Sequence, residues 1–90
     1  MEIVVGSLVR SKAGRDKGDL FIVLKKDSEY VYLADGKSRK AENPKKKKIK
    51  HVQPSGKISD EVLAKLAYAG SVENFEVRNA LAELGGYDIG

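Results

Sequence analysis

Five short stretches of strand character, each closed off by turn-forming residues and all within the first fifty-odd positions, limit this chain more than any other feature. Residues 8–12 open the series, between Gly6 and the turn Gly14-Arg15-Asp16-Lys17-Gly18. Leu20-Phe21-Ile22-Val23-Leu24 follows, and because it is apolar on both alternating faces it belongs in the middle of a sheet. In residues 29–34, Val31 and Leu33 share one face and Tyr30 and Tyr32 the other, so the aliphatic pair is expected inward. Asp35-Gly36 is a hairpin signal, which predicts a short return strand over Lys37-Ser38-Arg39-Lys40. Pro44 breaks any ladder and leaves the next four lysines as a solvated loop or edge, with residues 49–52 as the last strand. No crossover helix fits between these segments. They predict a mainly β fold, a small five-stranded antiparallel barrel.

The periodicity changes after Pro54-Ser55-Gly56, where three turn-forming residues coincide. This divides the chain into a barrel over residues 1–56 and a two-helix extension over residues 57–90. Ser59 is a good N-cap, Asp60 and Glu61 suit the first turn of a helix, and Val62, Leu63, Leu66 and Ala67 form one stripe. Gly70 ends that helix. A second runs from Glu73 or Asn74 to Leu84, with Val77, Leu81 and Leu84 on one face and Gly85-Gly86 as its stop. Each is about three turns long and marginal alone, so the pair must pack on itself, on the barrel or on a partner. Tyr68, Phe75 and Tyr87 are expected in that packing.

The same boundary divides the charge. Residues 1–57 hold 15 Lys and Arg against seven Asp and Glu, a net charge of +8, whereas residues 58–90 carry −4. A field of that size on so small a body attracts polyanions, of which nucleic acid is the commonest inside cells; anionic membrane is the main competitor. Both helices are acidic, which disfavours membrane. The absence of cysteine removes thiol catalysis and thiolate metal sites and fits a reducing, cytoplasmic setting. His51 alone cannot assemble a metal site, and Asp16, Asp19, Asp27 and Asp35 are scattered over separate turns, where a turn-forming role suffices. No catalytic residue, metal or cofactor is expected. The N-terminal residues lack a basic leader and a long apolar run, so neither signal peptide nor anchor is expected.

The candidate phosphate-binding residues are Arg10, Lys12, Arg15, Lys17, Arg39, Lys40, Lys45, Lys46, Lys47, Lys48 and Lys50, all at strand ends or in loops. The pentapeptide from Gly14 to Gly18 either presents Arg15 and Lys17 to a phosphate backbone or merely shapes a turn. The lysine run suits RNA or an anionic lipid surface. Tyr30 and Tyr32 either stack on unpaired bases or cover the sheet and receive the tail. His51 either touches RNA or bonds its own backbone.

A family resemblance rests on Val9-Arg10-Ser11-Lys12-Ala13-Gly14-Arg15-Asp16-Lys17-Gly18-Asp19-Leu20-Phe21-Ile22-Val23. This segment resembles the KOW motif, a strand, a glycine-bearing loop and an apolar strand found in several ribosomal proteins and in NusG-type transcription factors. Tyr30-Val31-Tyr32-Leu33-Ala34-Asp35-Gly36 and Lys47-Lys48-Ile49-Lys50-His51-Val52-Gln53-Pro54 are similar to the corresponding segments of the fourteen-e class of archaeal and eukaryotic large-subunit ribosomal proteins. The resemblance spans residues 4–56 and implies an SH3-like barrel and RNA binding, most often to ribosomal RNA. It does not extend to the tail. A second reading is a protein-interaction module that docks ribosomal or transcription proteins through the barrel or the helical tail, and in a third the tail folds over the basic barrel and masks it.

Overall fold

The computed structural model describes residues 2–85, so Gly86 and Tyr87 lie outside the described residues. Strands β1 (Ser7–Ser11), β2 (Leu20–Lys26), β3 (Tyr30–Ala34), β4 (Lys45–Lys48) and β5 (Val52–Ile58) precede helices α1 (Asp60–Ala69) and α2 (Asn74–Gly85). All paired strands are antiparallel, in the order β4-β3-β2-β1-β5. A 3-10 turn, Ile49–His51, joins the two edge strands of this small, barrel-like sheet.

The sheet buries both of its faces, against different material. Val9, Phe21, Val23, Val31, Leu33 and Val52 point into the barrel with Ile3 and half-buried Ile49. The alternate residues Leu8, Ile22 and Ala34 point outward and are covered by Val62, Val72, Val77 and Ala80 of the helical segment. This double burial is why β2, the central strand, is apolar on both faces. Register shifts in the β1–β5 and β2–β3 ladders add the twist that curls so small a sheet.

Three expectations are corrected. Residues 37–40 do not return as a strand, because the Asp35 carboxylate captures the backbone N–H groups of Lys37 and Arg39 at 2.9 and 2.8 Å and the Ser38 hydroxyl at 2.9 Å. Those amides are held in a loop instead of a ladder. The lysine run, by contrast, takes the edge alternative expected for it: it forms β4, the edge strand that pairs with β3, beginning right after Pro44. Residues 49–51 are the 3-10 turn, and the last strand starts at Val52. It runs through Pro54-Ser55-Gly56, so the boundary expected there falls inside β5. An edge strand tolerates Pro54, and the Ser55 hydroxyl bonds to the Leu8 carbonyl at 2.6 Å.

The helices follow local signals closely. Ser59 Oγ accepts a bond from Val62 N at 3.2 Å, and Gly70, at φ 78°, closes α1 in the left-handed conformation. Only part of each expected stripe is covered: Val62 and Val77 are buried and Leu66, Leu81 and Leu84 partly so, while Leu63 and Ala67 are exposed. Ala80 is buried in addition. Tyr68 is 78% and Phe75 49% exposed, so neither packs the tail as expected. Among the described residues, no helix is long and apolar enough to cross a membrane.

The helices are tied to the barrel by polar contacts as well. Arg78 donates to the Gly36 carbonyl at 2.8 Å and Asn74 Oδ1 accepts from Ala41 N at 2.7 Å. At Gly36 the contact is tightest. Its φ is 78°, and a Cβ there would stand 2.5 Å from the Asn74 carbonyl oxygen and 2.8 Å from Arg78 Cγ. Gly36→Ala is therefore expected to lower stability by about 2 kcal/mol or more, through left-handed strain and displacement of the first turn of α2. Urea unfolding followed by circular dichroism measures it; a loss below roughly 0.5 kcal/mol would show that loop and helix yield freely.

Candidate nucleic-acid interface

Five acids of the first half, Glu2, Asp16, Asp27, Asp35 and Glu42, are engaged by groups of the chain, whereas Asp19 and Glu29 are exposed. Asp27 is exposed, yet its Oδ1 accepts from the backbone N–H groups of Glu29 and Tyr30 at 2.9 and 2.8 Å, and those bonds hold its carboxyl below the usual carboxylate range. Burial opposes ionisation of Asp35, but the N–H donors of Arg39 and Lys37 and the Ser38 hydroxyl outweigh it and keep that carboxyl low as well. Glu2 pairs with Lys26 at 3.7 Å, and Glu42 accepts from the Asn74 amide at 3.0 Å.

Asp16 has the largest structural role. Its Oδ1 accepts from Lys47 Nζ and from Ser11 Oγ, each at 2.7 Å. Lys45 Nζ forms an ion pair with Oδ2 at 2.8 Å. Lys47 also donates to Ser11 Oγ at 2.9 Å and to the Ala13 carbonyl at 2.7 Å. Burial again disfavours the charged carboxylate, and Lys45, Lys47 and Ser11 together overcome it and hold Asp16 well below its ordinary value. The pentapeptide turn is thus bound to β4 across the end of the barrel. Arg15 and Lys17, on either side of Asp16, remain exposed.

This placement sorts the candidate cations. Lys47 is buried and fully engaged, so it is not available to a phosphate, and Lys45 is ion-paired and two-thirds covered. Arg10 bonds to the Gly18 carbonyl at 2.9 Å and Arg39 is half-buried in the Asp35 loop, while Lys40 is exposed. Arg10, Lys12, Arg15, Lys17, Lys46, Lys48 and Lys50 are exposed, and none forms an ion pair among the described residues. His51 is half-buried; its carbonyl accepts from Lys12 N at 2.8 Å.

Two of these cations join a patch on the sheet. In the β3–β4 register Tyr32 stands opposite Lys46 and Tyr30 opposite Lys48, on the face away from Val31 and Leu33. It is the same outer face that the helices cover at Ala34, but Tyr30 and Tyr32 stay half-exposed. The β2–β3 ladder slips between Val23 and Lys25, so Lys25 rather than Leu24 faces Tyr32. Lys46 Nζ sits 4.3 Å from the Tyr30 ring centre and Lys25 Nζ 5.3 Å from that of Tyr32. Asp27 steadies both tyrosines, taking the Tyr30 amide and, at 3.4 Å, the Tyr32 hydroxyl. An open groove of about 630 Å³ adjoins the patch at Lys25, but Glu42 and Glu73 line it and make it unfavourable for phosphate.

Sequence reasoning passed over Asp16 and Lys25. The signal for Asp16 was the lysine strand itself: alternation turns one or two lysines inward, and a buried ammonium needs a carboxylate. Lys25 had no such signal, because a register slip decides its face. Compared with known protein families and with curated proteins, the chain matches none.

Proposed function

We propose that this chain is a non-catalytic RNA-binding protein, a KOW-type barrel that acts with ribosomal RNA or on the ribosome. One observation carries the reading. Glu2, Asp16, Asp27, Asp35 and Glu42 are occupied by amide, hydroxyl or ammonium groups of the chain, whereas Arg10, Lys12, Arg15, Lys17, Lys46, Lys48 and Lys50 are exposed and form no ion pair among the described residues. The net charge of +8 is therefore displayed at the surface rather than neutralised within it. Cations so placed track a phosphate backbone and give modest sequence preference.

With roughly six phosphates contacted, log K for a single-stranded RNA falls with log salt at a slope of about −4. The double variant Lys46→Glu/Lys48→Glu is expected to lose at least tenfold in affinity and to flatten the slope by about 1.4, because two contacts are gone. Fluorescence anisotropy with a labelled oligonucleotide at four salt concentrations measures both. An unchanged affinity, or a slope near zero for the wild type, sinks the proposal.

A second reading is favoured by Tyr68 and Phe75, two large rings exposed on acidic helices, which suit a protein contact. It predicts binding that tolerates salt and fails in Tyr68→Ala or Phe75→Ala.

A further inference from the structure

We infer that the Tyr30–Tyr32 face selects unpaired RNA and holds two successive bases, with Lys46 and Lys25 exchanging their places over the rings for contacts to the flanking phosphates. This deepens the RNA-binding reading and rests on it.

Three features of the face lead there. First, Tyr30 and Tyr32 are alternate residues of β3 on one face, so their positions lie roughly 7 Å apart. Neighbouring nucleotides of a stacked helix are separated by about 3.4 Å along its axis, half that spacing. Two adjacent bases reach both rings only when the strand is extended and its bases are splayed, as they are in single strands and loops.

Second, the face is partly open, because α1 and α2 cover the sheet at Leu8, Ile22 and Ala34 and leave the tyrosines half-exposed. Asp27 accepts from the Tyr32 hydroxyl, which tethers that ring, and from the Tyr30 backbone N–H, which fixes the strand beneath the other, and β4 lies alongside both.

Third, each ring carries a lysine at cation–π distance, 4.3 Å for Lys46 on Tyr30 and 5.3 Å for Lys25 on Tyr32. An exposed cation–π contact is worth less than base stacking, so an arriving base displaces the ammonium. The displaced lysines stand on the strands either side of β3, with Lys48 beside Tyr30, where the phosphates of a strand crossing the face would pass. The flexible four-carbon stem of lysine suits this exchange.

The test uses the full chain with two probes, a fluorescein-labelled oligouridine octamer and a labelled twelve-base-pair RNA duplex, at fixed low salt. Tyr30→Leu and Tyr32→Leu are each expected to weaken the octamer about tenfold and to change duplex affinity less than twofold, with Tyr30→Phe near wild type. In proton NMR, the Lys46 side-chain signals, shifted upfield by the Tyr30 ring in the free protein, should move downfield as octamer is added. Leucine variants that bind the octamer like wild type, with an unchanged thermal melt, overturn the inference while leaving RNA binding intact, as does a wild type that prefers the duplex. Failure of both probes to bind the wild type removes the RNA reading itself.

Discussion

Asp16→Ala should destabilise the protein by about 3 kcal/mol, far more than any change to an exposed lysine. Lys47 and Asp16 are 8% and 11% exposed at their side chains and meet at 2.7 Å, so the variant leaves an ammonium buried without its counter-charge. Lys45, at 31%, can turn to water; Lys47, enclosed among Ser11, Ala13 and Val31, cannot. Lys47→Glu should be worse still, because it sets a second carboxylate against the first. Lys46→Glu, one residue away on the opposite face, should cost less than about 0.5 kcal/mol. Replacing both partners by apolar residues, Asp16→Leu with Lys47→Met, should restore much of what either single change removes, since desolvation of both charges is no longer required. Urea unfolding at pH 7 distinguishes these cases, and a cost below 1 kcal/mol for Asp16→Ala would mean that the clamp does not hold the loop.

The pH dependence has a definite sign. The folded-state pKa of Asp16 lies below its ordinary value of 3.8, so its contribution is fully present above pH 4 and is lost as pH falls below 3.8 toward the lowered folded value. The stability difference between wild type and Asp16→Ala should accordingly be constant from pH 7 to 5 and shrink between pH 4 and 2. A difference that grew on acidification would contradict the arrangement.

The clamp also shows what could be read from sequence and what could not. Periodicity placed Val31 and Leu33 inside and Tyr30 and Tyr32 outside, and capping chemistry placed Ser59 and Gly70 at the ends of α1, because each signal is local. The Asp35-Gly36 signal failed for a local reason and a tertiary one: the Asp35 carboxylate captures the amides of the next residues, and the loop is pressed against α2. Charge composition treated the lysine run as four equal residues, yet pairing with β3 makes Lys46 and Lys48 surface groups and Lys47 a core one. The aromatic face was half legible. Its tyrosines alternate in the sequence, but Lys25 reaches them only through a slipped ladder, and whether the tail would leave them uncovered depended on where Val62, Val77 and Ala80 pack.

That packing leads to the second large effect: Val77→Asp should unfold the barrel together with the helices. Val77 is fully enclosed in a cluster with Leu8, Ile22 and Ala34, the outward-facing residues of β1, β2 and β3. An aspartate there buries a carboxylate among apolar side chains with no donor in that cluster, at a cost of at least about 4 kcal/mol, comparable to the whole stability of so small a chain. Because β2 belongs to both cores, Ile22 facing the helices and Phe21 and Val23 the barrel interior, loss of one layer loosens the other. In a Tyr68→Phe/Tyr87→Phe background, whose remaining tyrosines Tyr30 and Tyr32 both lie on β3, the protein should then unfold in a single transition in which tyrosine fluorescence and helical circular dichroism coincide, and Val77→Asp should lose both signals at once. Separate transitions, or a variant that keeps a folded barrel, would show that residues 1–56 stand alone. Coincident loss also bears on the masking idea, since a tail that shares its core with the sheet cannot lift away to expose a basic surface without uncovering Leu8, Ile22 and Ala34 to water. On that outcome, regulation by release of the acidic helices is ruled out, and their charge acts from a fixed place beside the face proposed to bind RNA.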